Sequence, residues 1–416
     1  MPRCLSRIRW LIGAALVLAG CATAAPTAPP PGPVRTGGQP LIRIGLAVGT
    51  GDATIDAGGR SRVLADGRAI FSLTTHDRIV VASGAGGVRI AGSNDGAWRS
   101  IRIVPHSENV TLLYNGTAYR GSLEVVANSG GVTVINHLGI EEYLHGVVVR
   151  ELGPRPADEA AALESQAVVS RTYALKNLGR FGNLGFDLMG SVADQAYGGV
   201  SAESEPGRRA VDATRGQVLT YNGELVAAFF HSTCGPSTAS PEESFRSVIT
   251  APYLRPVSDR DGDGDYYGEM SPHFAWTVEW DGETLLDILR QTVPTTLGVE
   301  ASVVDVVHDV WVERRGPSGR AMEVRIRVGT GEIPVFAPDV RAVFQTPNGT
   351  PMRSTAVTFE AEHDGDRVSR LIAKGTGWGH GLGMCQWGAI GRARAGQDYR
   401  QIVTTYFPGT RLERWY

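Results

Sequence analysis

Residues Glu141 to Leu175 read EEYLHGVVVRELGPRPADEAAALESQAVVSRTYAL. The second half of this stretch predicts a helix over Asp158 to Leu178. Asp158 is the expected N-cap, with Pro154 and Pro156 just ahead of it. Leu163, Ala167, Ser170 and Ala174 recur at three- and four-residue steps on one face, and Gly179 supplies the stop. Before the helix, Val147, Val148 and Val149 form a strand-like apolar run, and a lone carboxylate, Glu151, falls on the turn between the two. A carboxyl so placed has a dry side and a wet side. Desolvation raises its pKa and suits it to act as a general acid. Glu141, Glu142 and Glu159 are nearby but stand at no fixed spacing from it. The usual glycosidase routes need two carboxylates, whereas one suffices where the sugar supplies its own nucleophile.

Outward from this stretch, the pattern is mixed. Leu41 to Val48 alternates as a strand does, and further strands are expected at Ala69–Leu73, Arg78–Ala82, Ile101–Val104, Val110–Tyr114, Arg120–Val126 and Val132–Ile135. Asp66-Gly67, Asn115-Gly116 and Gly130-Gly131 mark turns. After the helix, Gln217–Tyr221 and Leu225–Phe230 flank Asn222-Gly223 as a hairpin. Trp276–Trp280, Val303–Val312, Met322–Val328 and Val368–Ala373 read as strands. Gly282–Gln291, Val335–Phe344, Gln386–Ala395 and Tyr399–Tyr406 read as helices. The class is α+β: a β-rich domain over 41–416, with an all-β subdomain inserted at about 50–115 and a few helices forming a cleft.

Other segments carry chemistry. Gly375 to Ala389 (GTGWGHGLGMCQWGA) lets backbone pass close to a ligand while Trp378 and His380 project towards it. It lacks the Lys and Ser/Thr of a phosphate-binding loop. In Asp194-Gln195-Ala196-Tyr197-Gly198-Gly199, amide and carboxylate side chains beside an aromatic suit sugar binding. Arg171 either pairs with Glu151, contacts a substrate carboxylate or is an ordinary helix-surface residue, and the same helix carries Gln166 and Tyr173. His231 and Cys234, in His231-Ser232-Thr233-Cys234, begin a metal set but fall short of the three or four ligands that zinc takes. No metal or other cofactor is expected. Asp259 to Asp265 resembles the start of an EF-hand loop, but its closing position falls on Met270, so an exposed acidic turn is the expectation.

The chain has 416 residues, 42% hydrophobic and 20% charged, with a net charge of −3. That is enough for a sizeable core, and no Lys/Arg run beyond the N-terminus offers nucleic acid a partner surface. The 53 glycines suit many short strands and turns. Arg3, Arg7 and Arg9 precede a short apolar run, Trp10 to Ala19, which ends in Leu18-Ala19-Gly20-Cys21. This pattern resembles a lipobox, with Cys21 lipidated and the envelope as the destination: the periplasmic side of the outer membrane if the cell is Gram-negative. Residues 22–40, rich in Pro, Ala and Gly, read as a tether. Cys234 and Cys385 then remain in an oxidising compartment, either as a disulfide or as two packed thiols.

Six blocks in order resemble the SpoIID/LytB domain family, named after stage II sporulation protein D and an amidase enhancer. They are EEYLHGVVVRELG, AAALESQAVVSRTYAL, DQAYGG, AVDATRGQVLTYNGELVAAFFHSTCG, PYLRPV, and GWGHGLGMCQWGA followed by YFPGT. The resemblance spans roughly residues 41 to 416. It implies peptidoglycan as substrate and lytic transglycosylase action on strands stripped of stem peptides, with the catalytic Glu at Glu151. Arg171, Tyr173, Asp194, Gln195, Tyr197, His231, Trp378 and His380 would line the glycan cleft. It equally implies a rival, a non-catalytic glycan-binding activator of a cell-wall amidase. The chain departs from the family pattern in carrying Gly235-Pro236 after Cys234 and Cys385 where a smaller residue is usual. Some family members bind zinc through two His and two Cys, a set not evident here.

Overall fold

The computed structural model describes residues 38–94, 96–246, 251–329 and 331–416. Cys21 and nearly all of the tether lie outside the described residues. The fold is α+β and rich in strands. A seven-stranded sheet runs in the order Leu188–Met189, Leu41–Thr50, Gly131–Gly139, Ser122–Asn128, Ser100–Pro105, Ser61–Ala65, Arg68–Leu73. A five-stranded sheet built from Ala53 to Tyr119 packs on it. The strands of residues 50–115 are therefore divided between two sheets, and both sheets feed one apolar core.

That core runs from Ile42 to Phe407, but not continuously along the chain. A second core, from Trp276 to Ala373, is built from two three-stranded sheets and the helices Gly282–Leu297 and Ala337–Val343. The chain leaves the first core, builds the second, and returns. A short parallel pairing closes this excursion, with Phe230 beside Met384 and His231 beside Cys385. Gly383, at φ +76°, lets the returning strand in, since a Cβ there would lie 2.1 Å from the Phe229 carbonyl oxygen.

The helix of the opening stretch spans Ala160–Lys176. Asp158 does not cap it. Asp158 lies in a 3₁₀ turn, Ala157–Glu159, and Glu159 is the N-cap without a side-chain capping bond. Nearly every face is buried, against the helices Glu205–Ala213, Gln386–Arg394 and Tyr399–Tyr406 and the strand Gln217–Tyr221. A helix wrapped this way must satisfy its own polar groups: Ser165 and Thr172 donate back to the Ala161 and Val168 carbonyls, each at 2.7 Å.

Arg171 is fully buried, so it is not a surface residue, and its pairing is with Glu141 rather than Glu151. Its Nε and Nη2 donate to the two carboxylate oxygens of Glu141 at 3.0 and 2.7 Å, and its remaining donors reach the Val211 and Gln217 carbonyls. The Gly216 N–H and the Tyr416 hydroxyl complete the shell around Glu141. Burial pushes the Glu141 carboxyl up, but Arg171 and these donors outweigh it and leave it below the ordinary carboxylate range.

Other expectations shift at element ends. The second arm of the hairpin is only Glu224–Leu225. Residues 331–336 form a strand before the helix Ala337–Val343, where the sequence suggested one helix. The acidic loop is not exposed throughout. Asp259 is buried and accepts from the Tyr406 hydroxyl and the Gly268 N–H, while Asp261 Oδ1 accepts three backbone N–H groups from residues 263 to 265.

Removing one partner of a buried ion pair leaves the other uncompensated. Arg171→Met is expected to cost about 3–5 kcal/mol of unfolding free energy, measured by urea titration. A loss near that of an exposed pair would show that Glu141 is satisfied without it.

Candidate active site

Glu151 lies not on a turn but in a short helix, Val148–Leu152, whose buried Val148 and Leu152 stand four residues apart. The three valines thus belong to helical turns rather than to a strand. Gly153, at φ +78°, ends the helix, its N–H bonded to the Val149 carbonyl. Glu151 faces a cleft of about 590 Å³ lined also by Tyr173, Arg180, Asp194, Phe229, Phe230, His231, Trp378, His380 and Gln386. Its Oε1 accepts the Ala196 N–H. Burial raises its pKa above the ordinary carboxylate value, against the weaker opposing pulls of that N–H and of Arg150.

The glycine-rich segment forms the opposite side. Trp378 is 42% exposed, with its ring edge-on to His273 at 4.0 Å. Gln386, at the start of the helix Gln386–Arg394, donates to Gln166 Oε1 at 3.2 Å and to the Glu151 backbone carbonyl at 3.4 Å. Gln166 in turn donates to Ser170 at 2.9 Å. One polar chain thus ties the C-terminal motif to the helix and to the backbone of the acid.

Asp194 is a poor second acid. Its side chain is wholly buried: Oδ1 accepts from the Tyr173 hydroxyl and from Arg180, and Oδ2 from the Met189 N–H at 2.8 Å. Burial, with Asp194 beside it, pushes the Tyr173 phenol well up, so it stays a donor. His231 is buried and His380 half-buried, and both are held neutral. Burial and then the nearby His380 and Arg320 push His231 well down, and burial brings His380 to about 4. His231 Nδ1 faces the Leu382 carbonyl at 3.2 Å, and His380 Nδ1 accepts the Leu382 N–H at 3.0 Å.

Six of the expected cleft residues therefore meet: Glu151, Tyr173, Asp194, His231, Trp378 and His380. Three do not. Arg171 holds Glu141, as above. Gln195 is buried, accepting from the Tyr143 hydroxyl at 3.1 Å and donating to the Ser170 carbonyl. Tyr197 is buried under a neighbouring cavity, with its hydroxyl on Asn136 at 3.0 Å. In this loop Asp194 and the Ala196 N–H serve the cleft, while the side chains of Gln195 and Tyr197 turn into the core. Arg180, Phe229, Phe230 and Gln386 went unread, because no spacing sets them apart in the sequence.

His231, Cys234 and Cys385, all buried, bring ligand-type atoms within 4.8 Å of one another. Cys385 Sγ accepts the N–H groups of Cys234 and Gly388 at 3.1 and 3.3 Å, capping the helix it precedes. Both cysteines are free thiols. Among the described residues the group stops at three donors, with His380 turned to Leu382, so the two-His, two-Cys zinc set is not assembled.

The family model described as Stage II sporulation protein, SpoIID, matches residues 128–221, which hold Glu151, the long helix and Asp194. A domain of unknown function, DUF8618, matches residues 242–383, and so covers the second core. An uncharacterized protein of Brachyspira hyodysenteriae is 30% identical over 342 residues, which is 82% of this chain and 83% of that protein. The chain belongs to the SpoIID family. Two Bacillus subtilis relatives carry descriptive names. The stage II sporulation protein D is 26% identical over 67% of this chain and 75% of its own length. The amidase enhancer is 28% identical over 65% of this chain, and the match spans 40% of the enhancer. As a SpoIID chain, this protein places the matched segment on one wall of the cleft and the returning glycine-rich strand on the other.

The imidazole of His380 carries a pH signature. A histidine that titrates near 4 when folded and near 6.5 when unfolded favours the fold above about pH 6.5, and that contribution is lost as pH falls towards 4. His380→Gln is expected to flatten the acid side of the stability–pH curve in this window, as read by urea midpoints. An unchanged slope would show that His380 is not the group responsible.

Proposed function

We propose that this protein is a lytic transglycosylase that cleaves peptide-free peptidoglycan strands between N-acetylmuramic acid and N-acetylglucosamine. The observation that carries this reading is the single burial-raised carboxyl, Glu151, in a cleft whose other acid is locked in the wall. Protonated Glu151 donates to the glycosidic oxygen as the C1–O bond breaks. The resulting carboxylate then takes the proton of the muramic acid's 6-hydroxyl as O6 bonds to C1. Water is not consumed, the proton returns to Glu151, and the product is a 1,6-anhydro end. No second carboxylate is required, which suits this site. Trp378, Phe229 and Phe230 offer faces on which pyranose rings stack.

A second reading rests on the relative named amidase enhancer: the same cleft would hold a glycan while a cell-wall amidase acts on it. The full chain and Glu151→Gln, each incubated with peptide-free strands and analysed by mass spectrometry, separate the two. Anhydro ends from the wild type, lowered at least about 100-fold in the variant, are expected. Strands left intact by both proteins, yet still bound, would favour the enhancer reading. On either reading we place the protein on an envelope membrane through lipid on Cys21. Radiolabelled palmitate should be incorporated by the wild type and lost with Cys21→Ala, and labelling of both or neither would overturn the anchor.

A further inference from the structure

Arg180 is the one cation among the described residues lining the cleft. It sits just past the long helix and is held from behind. Its Nη1 donates to Asp194 Oδ1 at 2.5 Å and to the Tyr173 hydroxyl at 3.0 Å, and the Phe181 ring lies 5.5 Å from its Cζ. The Asp194 side chain is 0% exposed, whereas that of Arg180 is 46% exposed. The buried carboxylate therefore fixes one edge of the guanidinium and leaves the rest at the surface of the cleft. Nε and Nη2 make no hydrogen bond to the described protein. Together they form the side-on pair of N–H donors that grips a carboxylate with two parallel bonds. The sequence suggested a substrate-carboxylate contact for Arg171, but that residue is enclosed with Glu141. Arg180 is the residue free to make one.

We propose that Arg180 is a carboxylate-binding subsite of the cleft. On the transglycosylase reading, on which this assignment of the ligand rests, its partner is the lactyl carboxylate of a muramic acid ring. The hydroxyls and acetamido groups of a glycan strand are neutral, so the lactyl group is the strand's anion. It is an anion only when no peptide is attached, because a stem peptide converts it to an amide. An amide brings one acceptor oxygen and no charge to a fork built for two acceptors. Arg180 thereby makes the cleft a reader of peptide removal, selecting strands already processed by a reaction that hydrolyses the lactyl–peptide amide.

The test uses the full chain carrying Glu151→Gln, so that strands persist, with and without Arg180→Met. Peptide-free strands are compared with the same strands whose carboxylates have been coupled to methylamine. Binding is followed by Trp fluorescence or calorimetry. Native strands are expected to bind about 10- to 100-fold tighter than amidated ones. With Arg180→Met both should bind with the weaker affinity, so that their ratio falls to about one. A purely structural role for Arg180 would weaken both ligands together and keep the ratio, and that result would overturn the proposal. Equal binding of the two ligands by the parent, or binding of neither, would overturn it as well. The two readings fail separately. Discrimination without anhydro ends from the wild-type protein removes the transglycosylase and leaves the subsite. Anhydro ends without discrimination remove the subsite and leave the transglycosylase.

Discussion

The buried pair of Glu141 and Arg171 is the constraint around which the first core is arranged. Each group is enclosed, and neither could be left alone there without a large desolvation penalty. Their bonds reach the helix Ile140–His145, the long helix, the turn at Gly216, the strand Gln217–Tyr221 and the C-terminal Tyr416. The pair therefore determines how the segment before Glu151 sits on the segment after it. Because Val148–Leu152 is too short to hold itself in place, the direction in which Glu151 points is inherited from this neighbouring framework.

The cleft combines a dry acid with one exposed cation. Burial favours the neutral forms of Glu151, His231 and His380, while the Asp194 carboxyl group is turned to Tyr173, Arg180 and a backbone N–H. Such a surface has little to offer a polyanion or a polycation. It suits a mostly neutral ligand with stackable rings and an isolated negative group.

Much of this was legible in the sequence where a pattern is local. The long helix, the strand Leu41–Thr50 and the closing helices Gln386–Arg394 and Tyr399–Tyr406 announce themselves by periodicity and punctuation. Glu151 was legible as a partly desolvated carboxyl ahead of the long helix, although three successive valines disguised its own short helix as a strand and turn until the burial of Val148 and Leu152 overrode β-propensity. What failed was anything decided by a distant partner. Arg171 looked available because Glu141, its partner, lies 30 positions earlier. Gln195 and Tyr197 looked like ligand contacts because nothing local says which side chains of a loop turn inward. Cys234 and Cys385, 151 positions apart, come together only through the pairing of Phe230 and His231 with Met384 and Cys385.

That same pairing sets an order on assembly. A chain made from its N-terminus holds Glu151, Tyr173 and Asp194 well before Trp378 or Gln386 exists. The two edges of the cleft meet only when Met384 and Cys385 return beside Phe230 and His231, with the whole second core already looped out between them. Closing so long a loop carries an entropic cost and comes late, after local structure has formed. The nascent protein thus passes through most of its synthesis with an unfinished cleft, and the second wall arrives only with the returning glycine-rich segment.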